Sequence, residues 1–148
     1  NIQIDGISFI EYHSFEAFNE GVRLKQCIEY QESLTGIKVK RVGADSIYAN
    51  NANRTMCTEK GITTCFTRKG PRPKEEAECL KTARKIIGNL RATVMEGSFG
   101  NQKQHYSLGR IKARNMFSER LLLFFGIHTA NAAILAAREM ARDVKKAA

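Results

Sequence analysis

Apolar and polar residues alternate at the start of the chain, with Ile2, Ile4, Ile7 and Phe9 set around the turn-favouring pair Asp5-Gly6. That pattern predicts a hairpin. Over residues 14–33 the spacing lengthens to a helical one, with Phe15, Phe18, Val22, Cys27, Ile28 and Gln31 on one stripe and Thr35-Gly36 as the stop. Ile37, Val39 and Val42 then predict a strand that ends at Gly43-Ala44-Asp45. A helix follows over residues 50–60, closed by Gly61, and residues 62–66 read as a short strand. Residues 67–76 hold both prolines and the cations Arg68, Lys69, Arg72 and Lys74, which predicts a loop. From Glu75 the chain reads as helical through Glu96 towards Lys103, loosened by Gly97 and Gly100. A last long helix over residues 118–144 is rich in Ala and Leu, and Ser118 is placed to cap it.

The order strand–strand–helix–strand–helix–strand–helices predicts one α/β domain over residues 1–148, with a small mixed sheet. The helix after the hairpin permits a crossover onto a parallel neighbour. The most apolar segment, residues 121–137, is shorter than the ~20 residues that span a bilayer. It reads as a core helix, with His128 and Asn131 as a satisfied buried polar pair. The chain opens on Asn1, already within strand-like alternation, and so reads as part of a longer protein.

Charge sharpens this outline. The 148 residues carry a formal net charge of +9. Residues 1–45 hold five Lys/Arg against seven Asp/Glu, and residues 46–148 hold nineteen against eight. The whole basic excess follows Asp45, which points to a polyanionic partner. Cys27, Cys57, Cys65 and Cys79 form no close pair of the kind zinc sites use, so the expectation is idle thiols in a reducing cytoplasm and no zinc. No secretory signal opens the chain, and no membrane partner is expected.

Two carboxylates stand out. Glu96 lies in Met95-Glu96-Gly97-Ser98-Phe99-Gly100, and Lys103 follows it by seven residues, nearly two helical turns, so both occupy one face. A carboxylate can hold a divalent metal, and an ammonium can hold a phosphate. The alternative is a helix-surface ion pair. Asp45 follows a predicted strand, where active-site carboxylates of α/β sheets gather, but it could equally cap the helix after it. If the two carboxylates shared a pair of metal ions ~4 Å apart, they could act on a phosphodiester. Arg68, Lys69 and Arg72 form either a phosphate-tracking arm or a solvated loop. Lys103, Arg110, Lys112 and Arg114, with His105 and Tyr106 among them, form the better basic surface because they flank Glu96. Arg138, Arg142, Lys145 and Lys146 read as the solvated face of the last helix.

Gly43-Ala44-Asp45-Ser46-Ile47-Tyr48, Asn53-Arg54, Cys57 and Lys60-Gly61-Ile62 resemble the segment around the second aspartate of bacterial insertion-sequence transposases of the Asp-Asp-Glu type. Glu96 to Lys103, with Tyr106-Ser107-Leu108-Gly109-Arg110-Ile111-Lys112-Ala113-Arg114, resembles the segment around their third acidic residue. The segments 14–20 and 124–131 are similar to the family as well, so the likeness covers nearly the whole chain. It implies an RNase H-like fold that holds Mg²⁺ or Mn²⁺ and cuts and joins double-stranded DNA at transposon ends. Asp45 and Glu96 would be its second and third catalytic metal ligands. Lys103 would contact the DNA backbone, and copies of the chain would associate to bring two ends together. The expected location is the bacterial cytoplasm, on the nucleoid.

The sequence departs from the family pattern twice. The family has an arginine four residues before the glutamate; here that residue is Ala92, and Arg91 points about 140° away from Glu96 on an ideal helix. No first aspartate is evident either. Asp5 precedes Asp45 by only 39 intervening residues and sits in the expected hairpin turn, and Asp143 is a poor substitute. The expectation is that the first aspartate precedes Asn1 and that this chain alone is inactive. A non-catalytic DNA-binding remnant of a transposase is the alternative function. A basic RNA-binding domain is a third, disfavoured by the lack of an expected exposed aromatic platform.

Overall fold

A computed structural model describes residues 1–70 and 78–147, the side chain of Ala147 excepted. The expected hairpin is present, with β1 (Ile2–Ile4) and β2 (Ile7–Phe9) paired in a two-stranded sheet. Asp5 and Gly6 turn the chain with φ of 48° and 77°, the left-handed geometry that a two-residue hairpin loop requires.

The helix expected over residues 14–33 starts ten residues late. Residues 14–19 are not helical, a 3₁₀ turn follows at Glu20–Val22, and α1 spans Leu24–Thr35. Short-range polar contacts explain the delay. Ser14 Oγ accepts from Glu16 N, and Asn19 Oδ1 accepts from Gly21 N at 2.9 Å. Such side-chain bonds offer the backbone an alternative to the helix. Phe15, Phe18 and Val22 are exposed, whereas Leu24 and Ile28 are buried. Gly36 closes α1 in the left-handed conformation.

Strands β3 (Arg41–Val42) and β4 (Thr63–Thr64) are shorter than the sequence suggests and pair in parallel, Arg41 opposite Thr63. Their crossover carries a 3₁₀ turn at Ser46–Tyr48 and α2 (Asn51–Glu59). Among the described residues the expected mixed sheet is thus two separate two-stranded sheets. A single helical run continues through α3 (Glu78–Leu90), a π turn at Arg91–Met95 and α4 (Glu96–His105). The last helix, α5, spans Met116–Ala147. It begins two residues early, because Asn115 Oδ1 accepts from Ser118 N and takes the capping role expected of Ser118.

The chain divides into two compact units, one of Ile2 and residues 10–93 and the other of Asn1 and residues 3–9 and 94–148. In the first, Leu24, Ile28, Val39, Cys57, Ile62 and Phe66 form the core, with Tyr48 and Met56 packed against it. Each such side chain contributes about 1.5–3 kcal/mol when fully buried. Arg23 lies over the Tyr12 ring and pairs with Glu11. Burial, followed by the nearby Glu11 carboxylate, pushes the Cys27 thiol up to about 11.

In the second unit α5 packs on the hairpin through one strip, Ile127, Ala130 and Asn131. Ser8, 1% exposed, gives its N–H to Asn131 Oδ1 at 2.9 Å and accepts from Asn131 Nδ2 at 2.8 Å. Gln102 Nε2 donates to Ser8 Oγ at 2.7 Å. Asn131 therefore behaves as expected, but His128 does not: it is exposed and lies against Phe124, 4.1 Å between ring centres. The rest of α5 corrects the core-helix expectation. Leu121, Leu122, Phe124, Phe125, Leu135, Met140 and Val144 are all exposed. Residues Met116–Lys146 are also long and apolar enough, by length and composition, to cross a membrane. Arg138, expected on a solvated face, keeps a part-exposed side chain there and donates to the exposed Asp5 carboxylate at 3.0 Å.

Two outcomes follow from this packing. Asn131→Leu leaves both backbone groups of Ser8 buried without partners and should lower unfolding stability by about 2 kcal/mol or more in urea titrations. Iodoacetamide at pH 8, read by peptide mass mapping, should alkylate exposed Cys79 first and Cys27 and Cys57 last, since burial raises both of those thiols.

Candidate functional site

Asp45 does not end a strand; it stands three residues past β3, exposed, at the head of the Ser46–Tyr48 turn. Its Oδ1 accepts from Ser46 N and, at 3.2 Å, from Ser46 Oγ. The capping reading of Asp45 is therefore realised, on a 3₁₀ turn rather than on α2. That turn is held from behind. Asn53 is buried and donates from Nδ2 to Gly21 O at 2.6 Å and to Tyr48 O at 2.8 Å. Asn50 Nδ2 reaches the same Gly21 O at 2.9 Å, while its Oδ1 accepts from Asn53 N. Arg54 Nε donates to Ala49 O at 2.9 Å, with its guanidinium 5.6 Å from the centre of the Phe66 ring.

Gly21 is required for this arrangement. A Cβ there would stand 2.5 Å from Ile47 O, inside any tolerable contact. Burial pushes the Tyr48 phenol up to about 12, so it stays neutral. Asn53 and Arg54 are thus the residues that position the Asp45 turn. The one signal in the sequence was a polar residue four positions before Cys57, on the helix face that packs into the core.

Glu96 is exposed and begins α4, and Lys103 is exposed in its last turn. Both lie in regular α-helix, so their seven-residue spacing places them on one face as expected. The preceding helix is not regular. A π turn closes on i→i+5 bonds and admits one residue more than an α turn, so the ideal-helix angle assigned to Arg91 does not hold across residues 91–95.

After α4 the chain turns back through residues 106–114. Gly109 N donates to Lys103 O at 3.3 Å, which keeps the basic segment next to the end of α4. Arg110, Lys112 and Arg114 are exposed. Arg110 and Lys112 line one open groove with Tyr106, Leu122 and Phe125. Lys103 and the Arg110–Arg114 cluster thus fall in the same unit as Glu96, while Asp45, Arg68 and Lys69 fall in the other. Lys69 Nζ donates to Asn51 Oδ1 at 2.8 Å, and Arg68 is exposed. Arg72 lies outside the described residues.

The metal expectation finds no ready cage. Among the described residues no group of three or more His, Cys, Asp or Glu side chains gathers as a bound ion would require. Asp45 already gives one carboxylate oxygen to its turn. Asp45 and Glu96 fall in different units, and each is exposed.

A family model described as a transposase DDE domain matches residues 42–122, more than half of the chain. The matched span takes in Asp45, Asn53, Arg54, Glu96, Lys103, Arg110, Lys112 and Arg114. No curated protein and no solved structure matches.

The cap makes a testable distinction at Asp45. Asparagine preserves a capping oxygen and alanine removes it. Asp45→Asn should unfold within about 0.5 kcal/mol of the parent chain, whereas Asp45→Ala should cost about 1 kcal/mol in thermal melts. Equal melting of the two variants would show that the turn does not depend on the carboxylate.

Proposed function

Because this chain belongs to the transposase DDE-domain family, we propose that it is part of a DNA transposase whose full-length form cuts and joins DNA strands at insertion-sequence ends. The observation that carries the reading is the family match over residues 42–122, which spans both carboxylates and the basic segment. In this proposal the parent has an RNase H-like fold and uses Mg²⁺ or Mn²⁺, with Asp45 and Glu96 as the carboxylates this chain would contribute to the catalytic site. Residues 1–148 act as one domain of that parent. The partner is double-stranded DNA, bound through Lys103, Arg110, Lys112 and Arg114, with Arg68, Lys69 and Arg72 as a second phosphate-contacting segment. Such contacts position a duplex without reading its sequence. Self-association brings two ends together, and a cytoplasmic location on the nucleoid follows from the partner.

The described residues gather no three metal-binding side chains, and two carboxylates bind a metal pair weakly. The chain by itself is therefore inactive in this reading. The same observation, with Ala92 where the family has an arginine, favours a second reading for the chain as it stands: a DNA-binding remnant that no longer cuts. Both readings require DNA binding, and they differ in what the parent does.

Two measurements test them. The purified 148-residue chain should leave supercoiled plasmid intact in Mg²⁺ or Mn²⁺; robust metal-dependent nicking that vanishes in Asp45→Ala would overturn the inactivity. Lys112→Ala/Arg114→Ala should weaken binding to any duplex and lower the slope of log affinity against log salt by about 2, one unit for each lost phosphate contact. Unchanged duplex affinity in that double variant would remove the basic segment from the interface.

A further inference from the structure

The groove beside α5 is constructed by unusual local geometry. Segment 106–108 lies directly on Gly126, where a Cβ would stand 2.6 Å from Leu108 Cδ2 and 2.8 Å from Tyr106 O. Any side chain at this position would push the segment off the helix. Ser107 holds a φ of 59°, a left-handed conformation that costs a non-glycine residue of order 1 kcal/mol and tends to persist where a binding surface needs it. The result is an open groove of about 610 Å³, within the ~300–1,000 Å³ typical of small-ligand sites.

The lining is mixed in chemistry. It combines the apolar Leu122 and Phe125, the cations Arg110 and Lys112 and the hydroxyls of Tyr106 and Thr129, with no carboxylate among the described lining residues. Phe125 is 59% exposed, and its ring meets Phe124 edge-on with centres 5.6 Å apart, which limits how the ring can turn. An occupant must suit both an aromatic surface and two cations. A second copy of the same face is a poor match, since self-pairing would set cation against cation. An anion with a planar apolar part is a good one. A duplex is a poorer one, because its base faces are covered by their neighbours.

We propose that this groove holds an unpaired nucleotide of a DNA strand, with its phosphodiester between Arg110 and Lys112 and its base on Phe125. The inference rests on the DNA-binding reading above and adds to it a preference for strand ends or opened sites. An aromatic side chain beside a cationic track is the device that single-strand binders use, because every base presents a π face.

Fluorescence anisotropy on the full 148-residue chain tests this, with a labelled ten-residue oligothymidylate and a labelled ten-base-pair duplex at one low salt concentration. Phe125→Ala should weaken oligothymidylate binding roughly tenfold and change duplex binding less than about twofold. Phe125→Tyr, which keeps a flat ring, should bind both like the parent chain. Matching far-ultraviolet circular dichroism of the variants establishes that they fold, and Phe125→Leu, which keeps apolar bulk but loses the flat ring and should weaken oligothymidylate binding alone, carries the test if the alanine variant does not. Oligothymidylate binding untouched by Phe125→Ala, or weakened equally with duplex binding, overturns the groove assignment. So does a Phe125→Ala effect confined to sedimentation or to binding of phosphatidylglycerol vesicles, which would assign the face to self-association or to a membrane. Loss of the duplex signal from the parent chain rejects DNA binding itself, whereas a duplex signal with a Phe125-insensitive oligothymidylate rejects the groove alone.

Discussion

Buried backbone groups must find hydrogen-bond partners, and a chain with so little sheet has to find them in side-chain amides. Asn131 does for β2 what a neighbouring strand would do, accepting from the N–H and donating to the C=O of one residue, Ser8, across 123 residues of sequence. Asn53 does the equivalent in the other unit, joining the carbonyls of Gly21 and Tyr48. The Asn131 amide uses both of its ends, whereas Asn53 makes both bonds from Nδ2. The placement of the Asp45 turn follows from the second of these, since the Ser46–Tyr48 turn is tied to the Glu20–Val22 turn through Asn53 and through the close approach that Gly21 allows. The loop that carries the candidate carboxylate is therefore braced from the helix behind it.

Some of this was legible in the sequence because the signal was local. Asp5-Gly6 marked the hairpin, Gly36 and Gly61 marked helix ends, and the Ala- and Leu-rich tail marked a long helix. The misses have a common cause. Residues 14–23 carry a helical apolar stripe, yet Ser14 and Asn19 give their side chains to nearby backbone N–H groups and the helix waits until Leu24. Residues 37–42 alternate like a strand, but pairing extends over only two residues of it. Asn53 was hardest to read, since its role depends on a carbonyl 32 residues away. Spacing tells which face of an element is apolar; it says little about which polar side chain will reach which backbone group.

The long helix also changes how the charge is to be understood. The sequence placed the whole basic excess after Asp45, but the fold distributes it over both units: residues 10–93 hold fifteen Lys/Arg against ten Asp/Glu, and residues 94–148 hold nine against four. A polyanion partner is thus not confined to one unit by charge. The local chemistry of the second unit is the more specific, because its cations stand beside exposed aromatic rings. The expectation of no aromatic platform fails at Phe117, Phe124 and Phe125, all exposed on α5. Burial of a core helix was inferred from composition alone, and composition does not say whether an apolar face has a partner in its own chain.

Glu96 and Lys103 show how far binding and chemistry separate here. On a helix, side chains meet at spacings of three and four residues, whereas seven residues rise about 10.5 Å along the axis. A carboxylate and an ammonium so placed share a face without being nearest neighbours on it. Lys103 then continues, through the turn anchored at Gly109, into Arg110, Lys112 and the groove. Every part of that surface lies in residues 94–148. Cutting is more demanding, because a phosphodiester has to meet several carboxylates at once and the described residues gather no such group. The fold thus places Glu96 and the basic segment in one unit and Asp45 in the other, a division that the motif alone does not reveal.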